Sequence, residues 1–264
     1  MIFCVAYSKS LIVRFATILL TLPVIFSVAA DNLQVAASWE KPPYIIPQNH
    51  SGFEVELMTE VFNDLDHGVN FVYMPYKQSV EMLQRKQADV TLTLNKLSGI
   101  DSKYLSDVYV LYQNAALSLK SKNLPIQNIQ NLSKYSVVGF QSASDVLGAD
   151  FAEAIQKNKL YIEIADQTQQ LSLLLKGEVD VIIIDLNIFH YLSVKLTGSD
   201  QFDKVTVHPL FSPSRYSAGF KDIVLMKQFN QALGKYVSSG RYAVLKARYN
   251  FKDIQPVIKR FPID

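Results

Sequence analysis

From Leu33 onward the apolar and polar positions alternate between two periods. Leu33-Gln34-Val35-Ala36-Ala37 repeats every second residue and predicts a strand. Phe53, Leu57, Val61 and Phe62 repeat at helical spacing after Gly52, and Val69-Asn70-Phe71-Val72-Tyr73 returns to the strand period. A helix with Val80 and Leu83 inward and a strand over Asp89–Thr93 follow. The result is β-α-β-α-β, whose short connections predict parallel strands.

The rhythm then repeats. Ser136–Gly139 reads as strand, Val146–Ile155 as helix, Leu160–Ile164 as strand, Leu171–Leu175 as helix and Asp180–Asp185 as strand. The last is a continuous apolar run between two carboxylates, as expected of a strand covered on both faces. An internal echo links the halves: Leu83, Asp89 and Val90 share offsets with Leu174, Asp180 and Val181. Both aspartates are read as turn residues. The aromatic, extended stretch Ser106–Leu119 is expected to carry the chain from one unit to the other, and Val205–Phe211 to bring it back. Leu225, Phe229 and Leu233 then mark a helix, Ser238-Ser239-Gly240 a break, and Leu245 and Tyr249 a second helix. The fold class is therefore α/β, with two lobes joined by two hinge strands: residues 31–117 and 209–264 in lobe 1, and 118–208 in lobe 2. Two crossings make a cleft, and ligands bind at the carboxyl ends of parallel strands.

The residues before Leu33 follow a different logic. Lys9 and Arg14 precede an uncharged run from Phe15 to the small residues Ser27-Val28-Ala29-Ala30. That order is expected of a cleaved signal peptide, residues 1–30, and the run is shorter than the ~20 residues a spanning helix needs. A periplasmic location follows as an expectation. The one cysteine, Cys4, would be lost on cleavage, which excludes disulfides, thiol catalysis and cysteine-ligated metals from the mature part. Without Lys9 and Arg14 the 26 basic residues fall to 24 against 24 acidic ones. Nothing in this near-neutral balance suggests a nucleic-acid surface, which needs clustered excess Lys and Arg. His50, His67, His190 and His208 show no metal-binding spacing, and no P-loop, nucleophile elbow or dinucleotide fingerprint is present. Neither a cofactor nor a metal is expected.

Several stretches carry a resemblance in their order and spacing: Pro42-Pro43-Tyr44, Gly52–Leu57, Pro75-Tyr76 with Leu83 and Asp89, Tyr104–Tyr109, Gly177–Asp180 with Asp185, and Ser239–Tyr242. Together they resemble the type II periplasmic solute-binding proteins of family 3, which include amino-acid-binding partners of ABC transporters. The resemblance implies a monomer that takes a small polar ligand between its lobes and presents it to an ABC permease or a membrane sensor. It also implies ligand contacts: stacking on Tyr76, with Trp39 and Tyr44 nearby, polar groups from Thr93 and Asn95, an anion-binding turn at Ala143-Ser144, and an acid for a ligand ammonium at Asp185. Asp185 is equally placed to cap the helix beginning near Leu186. The arginine that clamps an amino acid's carboxylate in such proteins is absent, because Gly99-Ile100 stand where it is expected. That absence argues against an ordinary α-amino acid ligand and leaves Lys96 or Arg215 as substitutes. A rival reading is an enzyme, since some periplasmic dehydratases of cyclic pre-aromatic acids look like this family.

Overall fold

The computed structural model describes residues 1–2 and 32–252, so the segment 1–30 read as a signal peptide lies, apart from Met1 and Ile2, outside the described residues. The described strands form two five-stranded sheets. The first has the order β2-β1-β3-β10-β4, built from β1 (Leu33–Ser38), β2 (Val69–Met74), β3 (Val90–Leu94), β4 (Leu105–Tyr112) and β10 (Ser214–Phe220). The second has the order β7-β6-β8-β5-β9, from β5 (Asn114–Leu119), β6 (Val137–Phe140), β7 (Tyr161–Ile164), β8 (Val181–Asp185) and β9 (Val205–His208). In each, three strands run parallel as the periodicity predicts, and two come from the crossings.

The crossings set where the two sheets meet. Strand β4 ends at Tyr112 in the first sheet and β5 begins at Asn114 in the second, so the first crossing is Gln113, ahead of the boundary at 117 read from the sequence. The extended run through Ser106–Leu119 is thus two strands in two sheets. The return lies between His208 and Ser214. Strand β10, which the sequence pattern did not reveal, then inserts antiparallel between β3 and β4.

Helices α1 (Phe53–Asn63), α2 (Tyr76–Gln84), α7 (Ile223–Ser238) and α8 (Arg241–Arg248) accompany the first sheet. Helices α3 (Ala143–Val146), α4 (Ala149–Gln156), α5 (Gln167–Leu175) and α6 (Leu186–Thr197) accompany the second. The single helix expected over Val146–Ile155 is broken at Gly148, which adopts φ +96° and starts α4. Strands β3 and β8 are buried at every position, which explains their apolar runs.

The sequence echo is also an echo in space. Asp89, just before β3, accepts the Gln34 N–H of β1 at 2.8 Å and pairs with Lys221 at 2.5 Å. Asp180, just before β8, accepts from Ser136 N–H and Oγ at 3.1 and 2.9 Å and pairs with Lys122 at 2.7 Å. Both aspartates tie the starts of neighbouring parallel strands together, a structural duty that matches their turn positions.

Gly52 fixes the segment that will carry the cleft. With φ +117° it precedes α1, and a Cβ there would stand 2.4 Å from the Tyr44 carbonyl oxygen. That close approach lets the Pro43 and Tyr44 carbonyls accept the Phe53 and Glu54 N–H groups, each at 2.9 Å, satisfying donors that a helix start otherwise leaves open. Gly148 has a similar φ but nothing within 4 Å of such a Cβ. Gly52→Ala is therefore expected to cost at least ~2 kcal/mol and Gly148→Ala about 1 kcal/mol, measured as urea-denaturation midpoints. Equal losses would show that backbone conformation alone, and not the approach to Tyr44, makes Gly52 necessary.

Candidate functional site

A cleft of about 750 Å³ lies between the two sheets at the carboxyl ends of their parallel strands. Lobe 1 contributes Ser38 from the end of β1, Trp39 and Lys41 from the loop that follows, Tyr76 from the start of α2, and Thr93 from the end of β3. Lobe 2 contributes Gln141 and Ser142 after β6 and Gln167 and Thr168 at the start of α5. The loop after β1 is held rigidly: Lys41 and Ile45 exchange backbone hydrogen bonds of 2.9 and 3.0 Å, and the next residues dock on α1 through Gly52.

Beneath this wall lies Glu54, in the first turn of α1 and fully buried. Its carboxylate accepts from the hydroxyls of Tyr112 at 2.6 Å, Thr93 at 2.9 Å and Tyr109. The Tyr109 hydroxyl in turn accepts the Thr93 N–H at 2.9 Å. These bonds hold Thr93 in a left-handed conformation, φ +59°, which a β-branched residue rarely adopts. Burial, then the Glu54 charge, raises the hydroxyl pKa values of Tyr109 and Tyr112 well above the ordinary tyrosine range, so both remain donors. Burial also lowers the ammonium pKa of Lys41, while the Glu54 charge opposes that shift.

Asp185 occupies the crossing. It is 1% exposed and caps α6, accepting the N–H groups of Asn187 and Ile188 at 2.9 and 3.0 Å. It also accepts the Gln113 N–H at 2.6 Å and the Tyr44 hydroxyl at 3.1 Å. Tyr44 is fully buried and stacks on Tyr112 with centroids 3.9 Å apart. One carboxylate thus binds a residue of lobe 1, the first crossing and a helix of lobe 2. Burial pushes its pKa up to about 6, against the opposing effect of those hydrogen bonds.

Of the residues singled out from the sequence, the cleft brings together Trp39, Tyr76 and Thr93. The others lie outside its wall, each with another occupation. Tyr44 and Asp185 are committed to each other and to the crossing. Asn95 accepts the Leu97 N–H at 2.9 Å within its own turn. Arg215 is exposed on β10, where its neighbour Tyr216 takes the cleft-facing position, and Lys96 is exposed outside the wall. Ser144 donates from Oγ and N–H to Glu163 at 2.7 and 2.8 Å, and Glu163 also takes the Ser142 N–H at 2.7 Å. Burial of Glu163 is outweighed by the bonds from Ser144, Tyr161 and Ser142, which hold its carboxyl below the usual range. The turn expected to bind a ligand anion holds an internal one.

Sequence reasoning missed Lys41, Ser38 and Gln167. Lys41 was within reach, because it stands two residues after Trp39 in the loop that ends the first strand. Ser38 Oγ and Gln167 Oε1 are buried without a hydrogen-bond partner among the described residues, which no sequence pattern announces. Two ion pairs join the lips of the cleft: Lys77–Asp145 at 3.7 Å and Lys195–Glu40 at 4.0 Å. Both are exposed, so each contributes little by itself.

The model of the bacterial extracellular solute-binding proteins, family 3, matches residues 33–253. No curated protein sequence matches the chain. Among solved structures, the sensor domain of a histidine kinase with similarity to periplasmic binding proteins superposes with a TM-score of 0.69 at 16% identity, over 83% of this chain and 96% of that one. An ABC uptake transporter substrate-binding protein from Streptococcus pneumoniae with bound histidine gives 0.66 at 16% identity, over 84% and 94%. An ancestral amino-acid-binding protein described as a precursor of cyclohexadienyl dehydratase gives 0.64 at 18%, over 83% and 95%. At such identities the likeness shows a shared fold.

The crossing carboxylate makes a pH-dependent contribution with a definite sign. Because the folded-state pKa of Asp185 lies above the ordinary aspartate value, the stability it contributes is full below about pH 4 and is lost as pH rises through about 6. Asp185→Asn does not titrate, so its stability relative to the parent should improve by up to about 3 kcal/mol between pH 4 and 7. Urea denaturation of both proteins across that range measures it; a constant difference would contradict the raised pKa.

Proposed function

The chain belongs to the bacterial extracellular solute-binding proteins of family 3, and from that membership we propose that it captures a small polar solute in its interlobe cleft without transforming it. The observation that carries this reading is the pairing of aromatic surface with unspent polar atoms. Trp39 and Tyr76 form one wall, and Ser38 and Gln167, whose Oγ and Oε1 are buried without partners among the described residues, line the same cleft from opposite lobes. Capture over turnover is supported by the state of the cleft's acids. Asp166 caps α5 by accepting from Thr168 and Gln169, and Glu40 is engaged by Gln48 and Lys195. Among the described residues no histidine lines the cleft.

Export to the periplasm, a monomeric state and a membrane partner complete the reading. Closing the lobes on a solute would present a surface that an ABC permease or a sensor recognises. Lobe boundaries at Gln113 and between His208 and Ser214 would act as the hinge.

Thermal unfolding of the mature protein against a panel of carboxylates, amines, amino acids, amides and sugars tests capture. A solute at ~100 times its dissociation constant adds about 2.7 kcal/mol to stability. Trp39→Ala is expected to weaken binding of the stabilising solute about tenfold or more while leaving the solute-free midpoint nearly unchanged, because Trp39 is 55% exposed. Chemical conversion of the bound solute would overturn the reading in favour of an enzyme.

A further inference from the structure

We propose that Lys41 is the anion-binding residue of the cleft, so that the captured solute is a small organic carboxylate that requires no ammonium group; this rests on the cleft being the solute site. Three observations on different elements converge. First, Lys41 differs from the other lysines of the wall. Lys77 and Lys195 are exposed and paired across the lips with Asp145 and Glu40. Lys41 is half-buried, has no hydrogen-bond acceptor and no carboxylate within 4.0 Å among the described residues, and sits 6.0 Å from the Tyr76 ring centroid. A desolvated ammonium with its donors unspent is a strong partner for a carboxylate oxygen. Ser38, the last residue of β1, lines the same cleft, is 2% exposed and keeps its Oγ unpartnered among the described residues, a polar atom short of a hydrogen bond beside the Lys41 loop.

Second, the other places where an anion or an ammonium would be held are already taken. The backbone donors of Ser142 and Ser144 are spent on Glu163, so the second lobe offers an arriving carboxylate no such turn. Asp185 is buried under four donors outside the cleft wall, and the acids of the wall, Glu40 and Asp166, are exposed, with Asp166 Oδ1 capping α5 and Glu40 taking Gln48, so no buried acid faces a solute ammonium.

Third, the position of Lys41 is built from below. Glu54 is locked by three hydroxyls and its charge supports the ammonium from the protein side, while the cleft side of Lys41 meets aromatic surface. The carboxylate of the solute would thus sit at Lys41 and Ser38, with its body along Tyr76 and Trp39.

Isothermal titration with matched solutes tests this on the mature protein. The probes are benzoate against benzamide, and 4-methyl-2-oxopentanoate against leucine and leucinamide. The 2-oxo acid or benzoate is expected to bind, with its amide at least tenfold weaker. Lys41→Met should weaken carboxylate binding about tenfold or more, and Lys41→Arg should retain it within about threefold. The solute-free unfolding midpoint of each variant separates this from a purely structural role as counter-charge to Glu54: destabilisation with unchanged carboxylate affinity overturns the proposal. Binding of leucine or an amide that depends on Trp39 and is indifferent to Lys41→Met overturns it while leaving solute capture intact. Failure of every carboxylate probe at 10 mM also overturns it, and capture itself falls only if the wider solute panel fails as well.

Discussion

The buried carboxylate of Glu54 is the constraint on which the site depends. A carboxylate removed from water must recover its hydration from protein donors, and the chain supplies three hydroxyls from two strands of the first sheet. Those bonds align α1 with β3 and β4 and fix Thr93 in its left-handed conformation, while the Glu54 charge opposes the downward shift that burial imposes on Lys41. Removing one hydroxyl would leave a buried acceptor short of a partner, so the network behaves as a unit. The loop from Trp39 to Tyr44 inherits its position from the same helix start, through the carbonyls of Pro43 and Tyr44.

A second carboxylate, Asp185, performs the corresponding task at the crossing. Glu54 organises one wall of the cleft, and Asp185 organises the relation between the walls by collecting Tyr44, Gln113 and the start of α6. The division has a functional consequence. An acid saturated by four donors holds the crossing in register and has little capacity left for a solute. The groups that line the cleft with unspent capacity are Lys41, Ser38 and Gln167.

Much of the fold was legible because it depends on periodic burial. Strands β1, β2, β3, β6, β7 and β8 each show a period of two or an apolar run, and the turns before β3 and β8 repeat an aspartate at matching offsets. Strand β10 was not legible: Ser214-Arg215-Tyr216-Ser217-Ala218-Gly219-Phe220 lacks β-branched residues, and its place between β3 and β4 comes from sheet neighbours distant in the chain. For the cleft, topology placed the loops, so Trp39, Tyr76 and Thr93 could be read from their positions at strand and helix ends. The engagement of Ser144 by Glu163 and of Tyr44 by Asp185 depends on partners 19 and 141 residues away, which spacing does not encode.

Trp39 provides the most direct measurement of the central claim, because it is the chain's one tryptophan and stands on the cleft wall, half exposed. Its emission and its quenching by acrylamide should be followed during titration with a solute that stabilises the mature protein. Capture in the cleft predicts a saturable blue shift and protection from acrylamide, with the same midpoint as the stabilisation. A solute that stabilises the protein while Trp39 emission and quenching remain unchanged would contradict a solute site between the lobes.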